Sequence, residues 1–154
     1  MSEILDSGNR REFETGAKRD ISEGKGRCDL LPLVEVGAML DDTIIIGVGK
    51  YVETLQIRFL NEVLRLFIQD NYKCAYTAFL ELSKHYEAGA LKYSERNWEK
   101  GIPVHCFIDS AMRHYFKFKR GDEDEPHDRA FIWNIIGAIW TAKNHPEMID
   151  IKAE

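Results

Sequence analysis

Beyond residue 50 the apolar residues recur mostly at three- and four-residue intervals, the spacing of one buried face of an α-helix. Val52, Leu55, Ile57, Phe59, Leu60, Val63, Leu64, Leu66, Phe67 and Ile68 predict a helix over about 51–69. Ala75, Ala78, Phe79, Leu82, Tyr86, Gly89 and Ala90 predict a second, ending near Tyr93. Ile108, Ala111, Met112, Tyr115 and Phe116 mark a third, stopped by Gly121, and a fourth runs from about Pro126 to Lys143 with Pro146 beyond it. The fourth is apolar almost all the way round, so most of its faces should be buried. Upstream, residues 30–40 read as a short helix entered through Pro32. The run Ile44–Val48 is too short for periodicity to separate a strand from an apolar connection.

Residues 7–29 have a different character. They are polar, glycine-rich and basic, and they predict an extended arm. The expected organisation is therefore a flexible arm over 1–28, one helical domain over 29–146 and a tail over 147–154. The fold class is mainly α, a compact helical bundle with an extended N-terminal arm. A length of 154 residues, with 44% hydrophobic and 31% charged residues, suits one globular domain. Cys28, Cys74 and Cys106 lie far apart without a CxxC spacing, which argues against a zinc ribbon or a disulfide framework and suits a reducing cytoplasm. The longest aliphatic run is far short of the roughly 20 residues of a membrane span, and Met1–Asp6 has no signal-peptide character. A net charge of -5 disfavours binding to polymeric nucleic acid. Any anionic ligand must be met by a local cluster of cations.

Four stretches could carry chemistry. Asp122–Asp128 packs acidic residues at the entrance to the buried helix, where a run of carboxylates needs water, a helix N-terminus or a cation. Asp124, Glu125 and His127 could ligate Mg²⁺ or Mn²⁺. Asn134, seven residues beyond His127 on the same stripe, must find a partner, because an unpaired buried amide costs on the order of 1–3 kcal/mol. On the third helix Ser110, Arg113, His114 and Lys117 share a face that reads either as a solvated surface or as a phosphate cradle. In the stretch 87–103, Tyr93 and Trp98 offer flat faces to a nucleobase, Asn97 an amide edge, Lys92 and Arg96 charge, and Glu87 a further metal ligand. Trp98 reads equally well as a plug in the core. Finally Gly24-Lys25-Gly26-Arg27 lacks Walker-loop spacing but could close over phosphates as a lid.

The order of these blocks is that of a known family. Thr15–Asp20, Gly24–Arg27 with Asp29–Pro32, Glu87–Tyr93 with Arg96–Gly101, Ser110–His114, and Asp124–His127 with Trp133-Asn134 together resemble the phage-associated dATP/dGTP diphosphohydrolase N-terminal domain family. The resemblance implies hydrolysis of purine deoxynucleoside triphosphates to monophosphate and pyrophosphate, in phage nucleotide-pool control within the host-cell cytoplasm. It also suggests kinship with the MazG-like all-α pyrophosphatases, whose ExxE and ExxD helices hold Mg²⁺. Here the counterpart of ExxD is Asp124-x-x-His127, and the counterpart of ExxE begins at Glu87 but has Ala90 in its second acidic place. Residues 41–80 read as a helical insertion between the blocks. The expected roles are metal binding by Glu87, Asp124, Glu125 and His127, and charge stabilisation by Lys92, Arg96, Arg113 and His114. Lys25, Arg27, Tyr93, Asn97, Trp98, Ser110 and Asn134 would contact substrate. Relatives of this kind self-associate, and so apolar a last helix fits a homo-oligomer. Two other readings remain: a nucleotide-binding or protein-interaction module without catalysis, and a zinc hydrolase of the HD type built on His114, His127 and Asp124.

Overall fold

Helix α6 (His127–Asn144) is the axis of the molecule in the computed structural model, which describes residues 10–151. Eleven of its residues are buried, from His127 to Ala142, as its unbroken apolar surface predicts. Helix α5 (Val104–Arg120) packs along it. Gly137 makes that approach possible, since a Cβ there would lie 2.4 Å from Phe107 Cε1. The chain is mainly α, with six α-helices and one two-stranded sheet among the described residues.

Helix α1 (Leu33–Leu40) stacks on α2 (Thr43–Thr54), α2 on α3 (Ile57–Asn71), and α3 on α6. Phe67 of α3 sits among Tyr115, Phe118 and Phe131, with ring centroids 6.1, 5.4 and 4.6 Å away. The helix over 51–69 is in fact two, because Leu55 adopts a left-handed conformation (φ 60°) and ends α2. Nor is 44–48 a strand or a connection: it forms the first turns of α2. Asp42 caps that helix by accepting from the Ile44 and Ile45 amides at 2.9 and 3.1 Å, while the Tyr115 hydroxyl donates to its other oxygen at 2.6 Å. Packing here overrides the weak helix preference of a β-branched run. Helix α4 (Ala75–Lys92) lies against α6 and ends at Tyr93, as its spacing predicts.

The polar segment expected as a free arm is, from residue 10 onward, a docked hairpin. Strands β1 (Arg10–Glu12) and β2 (Lys18–Asp20) pair antiparallel with Arg11 opposite Arg19, and Ala17 in their turn is fully buried. Three groups of hydrogen bonds pin the hairpin to the end of α4 and the stretch after it. Thr15 Oγ1 donates to the Gly101 carbonyl. The Asn97 amide accepts from Lys18 N–H and donates to Lys18 C=O, both at 2.8 Å. Asp20 accepts from Lys92 Nζ at 2.8 Å and from the Tyr93 hydroxyl at 3.1 Å. At the other end, residues 146–151 fold back on the core, where Asp150 accepts from the His105 amide at 3.0 Å. The parts of the expected arm and tail at 1–9 and 152–154 lie outside the described residues.

Candidate functional site

Between the hairpin, the C-terminal half of α4, α5 and the start of α6 lies a cleft of about 1440 Å³. Ten Lys and Arg side chains line it against two carboxylates, Asp20 and Glu125. In a chain of net charge -5 that concentration of cations is the electrostatic setting an anion requires. Several buried nitrogens there have no partner among the described residues: Arg11 Nε, Arg19 Nη1 and Arg113 Nε, with His85 Nδ1 beside them. Orphaned buried donors are rare in folded proteins and cost about 1–3 kcal/mol each, unless a ligand takes them up.

The acidic entrance to α6 and the basic face of α5 meet at one corner of the cleft. His114 Nδ1 and His127 Nδ1 face each other at 2.9 Å, and His127 Nε2 lies 2.6 Å from Asp124. Hydrogen bonding to His127 lowers the Asp124 pKa, so Asp124 stays ionised and accepts a hydrogen bond from His127 Nε2. Burial, then the neighbouring His127, holds the His114 pKa well below that of a free imidazole, so His114 is neutral at pH 7. Burial raises the Glu125 pKa. Ligand atoms of His114, Glu125 and His127 lie within 4.8 Å of one another, as do those of Asp122, Asp124 and His127. Imidazoles beside carboxylates suit a first-row divalent ion such as Mn²⁺ better than Mg²⁺, which prefers an all-oxygen shell.

The structure brings together some of the sequence-predicted residues and parts others. Glu87 lies exposed on α4, outside the cleft lining and outside both ligand groups, so it is no partner of His127. Arg27 is held in a two-pronged pair with Asp29 at 2.8 and 2.7 Å, away from the cleft lining, whereas Lys25 lines the cleft. Arg113 lines the cleft too, but Asp109 accepts from it at 2.6 Å and the Gly26 carbonyl at 2.8 Å. Arg96 stands at the exposed rim, paired with Glu99. Lys92 and Tyr93 are tied to Asp20, and Arg10 covers the Tyr93 ring at 5.1 Å from its centroid. Asn97 is committed to Lys18 rather than open to a base. Trp98 packs edge-on against Tyr86 and Trp140, which matches the core-plug alternative.

Ser110 and Asn134 share one partner, and sequence reasoning missed it. Arg19 Nη2 donates to Ser110 Oγ and to Asn134 Oδ1, both at 3.0 Å. The signal was Asn134 itself, an amide in an apolar helix that required a partner. Nothing local pointed to a strand more than a hundred residues away. His85 also went unread. Its pKa falls to about 4 through burial and then the positive Arg129 and Arg19, so it is a neutral polar group in the cleft wall.

No helix among the described residues is long and apolar enough to cross a membrane. Comparison with curated proteins and with solved structures finds no match. The family model described as dATP/dGTP diphosphohydrolase, N-terminal, matches residues 65–151. That span begins inside α3, includes residues 65–80, and covers the part of the cleft built by α4, α5 and α6. Because it takes in more than half of the chain, the protein belongs to the dATP/dGTP diphosphohydrolase N-terminal family.

Proposed function

We propose that this protein hydrolyses dATP or dGTP to the monophosphate and pyrophosphate with the help of a divalent cation. The observation that carries the reading is the cleft itself, ten cationic side chains converging beside the His114–Glu125–His127 corner. A triphosphate carries several negative charges over a few ångströms, and a local excess of guanidinium and ammonium groups in a walled cleft is what attracts it.

In this reading His114, Glu125 and His127 hold the ion, and Asp124 orients His127 by accepting a hydrogen bond from its Nε2. A divalent ion held there would supply neutralisation of phosphate charge and acidification of water. Lys25 and Arg113 face the phosphates from the cleft wall, with Lys92 and Arg96 nearer the rim. Tyr86 and Trp133 give the cleft an aromatic side suited to a purine.

The test is release of pyrophosphate from each of the four dNTPs with Mg²⁺ or Mn²⁺. Purine substrates should turn over, fastest with Mn²⁺, and His114→Gln or Glu125→Gln should lower the rate at least 100-fold while the melting temperature moves by a few degrees at most. Unchanged rates in both variants would remove this corner from the chemistry. A second reading, nucleotide binding without hydrolysis, is favoured by the exposure of Glu87, which leaves the corner without a glutamate from α4. Stabilisation by dNTP without pyrophosphate release would establish it.

A further inference from the structure

Arg19, on strand β2 of the hairpin, is a half-buried cation with neutral hydrogen-bond partners. One of its nitrogens, Nη2, is satisfied by Ser110 and Asn134. Its guanidinium carbon lies 5.2 Å from the Phe107 ring centroid and 5.6 Å from that of Trp133. Nη1 is buried without a partner. Arg10, Lys92 and Arg113, by contrast, each pair with a carboxylate at 3.3, 2.8 and 2.6 Å. No carboxylate is bonded to Arg19 among the described residues, and Arg11 and Arg113 set further positive charge against it.

A bare charge held this way is expensive. Desolvation of an ion costs several kcal/mol, and neutral hydroxyl and amide dipoles return part of it. Holding Ser110 to Asn134 does not require a charge either, since a neutral amide side chain could bridge the same two oxygens. The aromatic neighbours and the two oxygens do fix the guanidinium in one orientation, which is how an anion-binding arginine is preorganised.

We propose that Arg19 is the principal anion-binding group of the cleft, and that its unpartnered Nη1 edge receives a phosphoryl oxygen of a condensed phosphate. This rests on the reading of the cleft as a triphosphate site. It also reassigns Ser110 and Asn134, which hold the guanidinium in place and do not themselves contact the phosphate. The β-hairpin thereby becomes a wall of the binding site rather than an appendage to it.

The experiment is calorimetric titration of the full chain with inorganic triphosphate, with metal chelated, alongside dATP and deoxyadenosine. Triphosphate and dATP should bind and deoxyadenosine should not, and Arg19→Gln should weaken triphosphate by roughly 30-fold, the scale of one lost charge-assisted contact. Lys119→Gln, a cation outside the cleft lining, should bind as wild type. A second measurement does not depend on a variant folding: in ¹³C,¹⁵N-labelled wild-type protein the Arg19 guanidinium resonances, assigned through bonds from its own backbone, should shift on adding triphosphate. Wild-type affinity in Arg19→Gln, or Arg19 resonances that do not move, would overturn the assignment. The two readings fail separately. Arg19-dependent triphosphate binding without dNTP hydrolysis would sink the hydrolase reading alone, and hydrolysis with binding indifferent to Arg19 would sink this one alone.

Discussion

Replacing Asn97 by alanine tests how the hairpin is held. Asn97 is buried, and its amide spans the backbone N–H and C=O of Lys18 at 2.8 Å each. Each such hydrogen bond contributes about 1 kcal/mol net. Lys18 is exposed, so water can reach its freed backbone groups once the amide is gone, and the loss should stay near the net value. Asn97→Ala should therefore destabilise by about 2 kcal/mol, a fall of roughly 6 °C in Tm for an unfolding entropy near 2 cal/mol/K per residue. Asn97→Asp keeps the acceptor for Lys18 N–H but sets a carboxylate against Lys18 C=O, so it should be no better than alanine. Urea unfolding followed by far-UV circular dichroism gives the free energy, and amide exchange at Lys18 and Arg19 reports whether the hairpin has loosened. A melting temperature within 2 °C of wild type, with hairpin exchange unchanged, would show that this contact does not anchor the strand. An Asn97 that served chiefly as a base reader would leave stability alone and change purine preference instead.

Other expectations are shorter to state. Gly137→Ala places a Cβ 2.4 Å from Phe107 Cε1 and 2.7 Å from Cδ1, so it should cost about 2 kcal/mol by overpacking and weaken triphosphate binding through the displaced Phe107, measurable by melting and calorimetry. Glu87→Ala should leave both turnover and its metal dependence within twofold of wild type. His105 has its pKa raised to about 9, first by its contact with Cys106 Sγ and then by Asp150. Since the folded pKa exceeds the ordinary 6.5, the protonated form favours folding. That stability is complete below about pH 6.5 and lost as pH rises through about 9. Both side chains are about a third exposed, so the effect should stay below about 1 kcal/mol. Melting from pH 7 to 9.5 should fall more steeply in wild type than in Asp150→Asn, and parallel curves would dismiss the pair.

Helices α4, α5 and α6 could be read along the chain because each buries a regular stripe and ends at a recognisable stop, such as Gly121 in its left-handed conformation (φ 93°). The break at Leu55 could not be read. Apolar residues at 52, 55, 57 and 59 continue a helical rhythm in letters while the backbone turns. The hairpin was invisible for a different reason. Its strands are three residues each, and Arg10–Glu12 and Lys18–Asp20 carry no apolar alternation; only the Gly16 turn betrays them. In the site, neighbours along one helix were legible, hence Asp124 beside His127 and Arg113 beside His114. Pairings across elements were not, since Arg19 with Asn134 and Asn97 with Lys18 depend on how the hairpin lands.

That landing has a consequence for any attempt to cut the protein down. The stretch matched to the family, residues 65–151, contains Phe107, Trp133 and Asn134 but not the strand that covers them. A fragment with those limits would expose this aromatic floor to water and leave the Asn97 amide facing nothing. It should aggregate or stay loosely packed. A minimal folded unit must carry residues 10–25 as well, because five of the ten cations that line the cleft, Arg10, Arg11, Lys18, Arg19 and Lys25, come from outside the region that names its family.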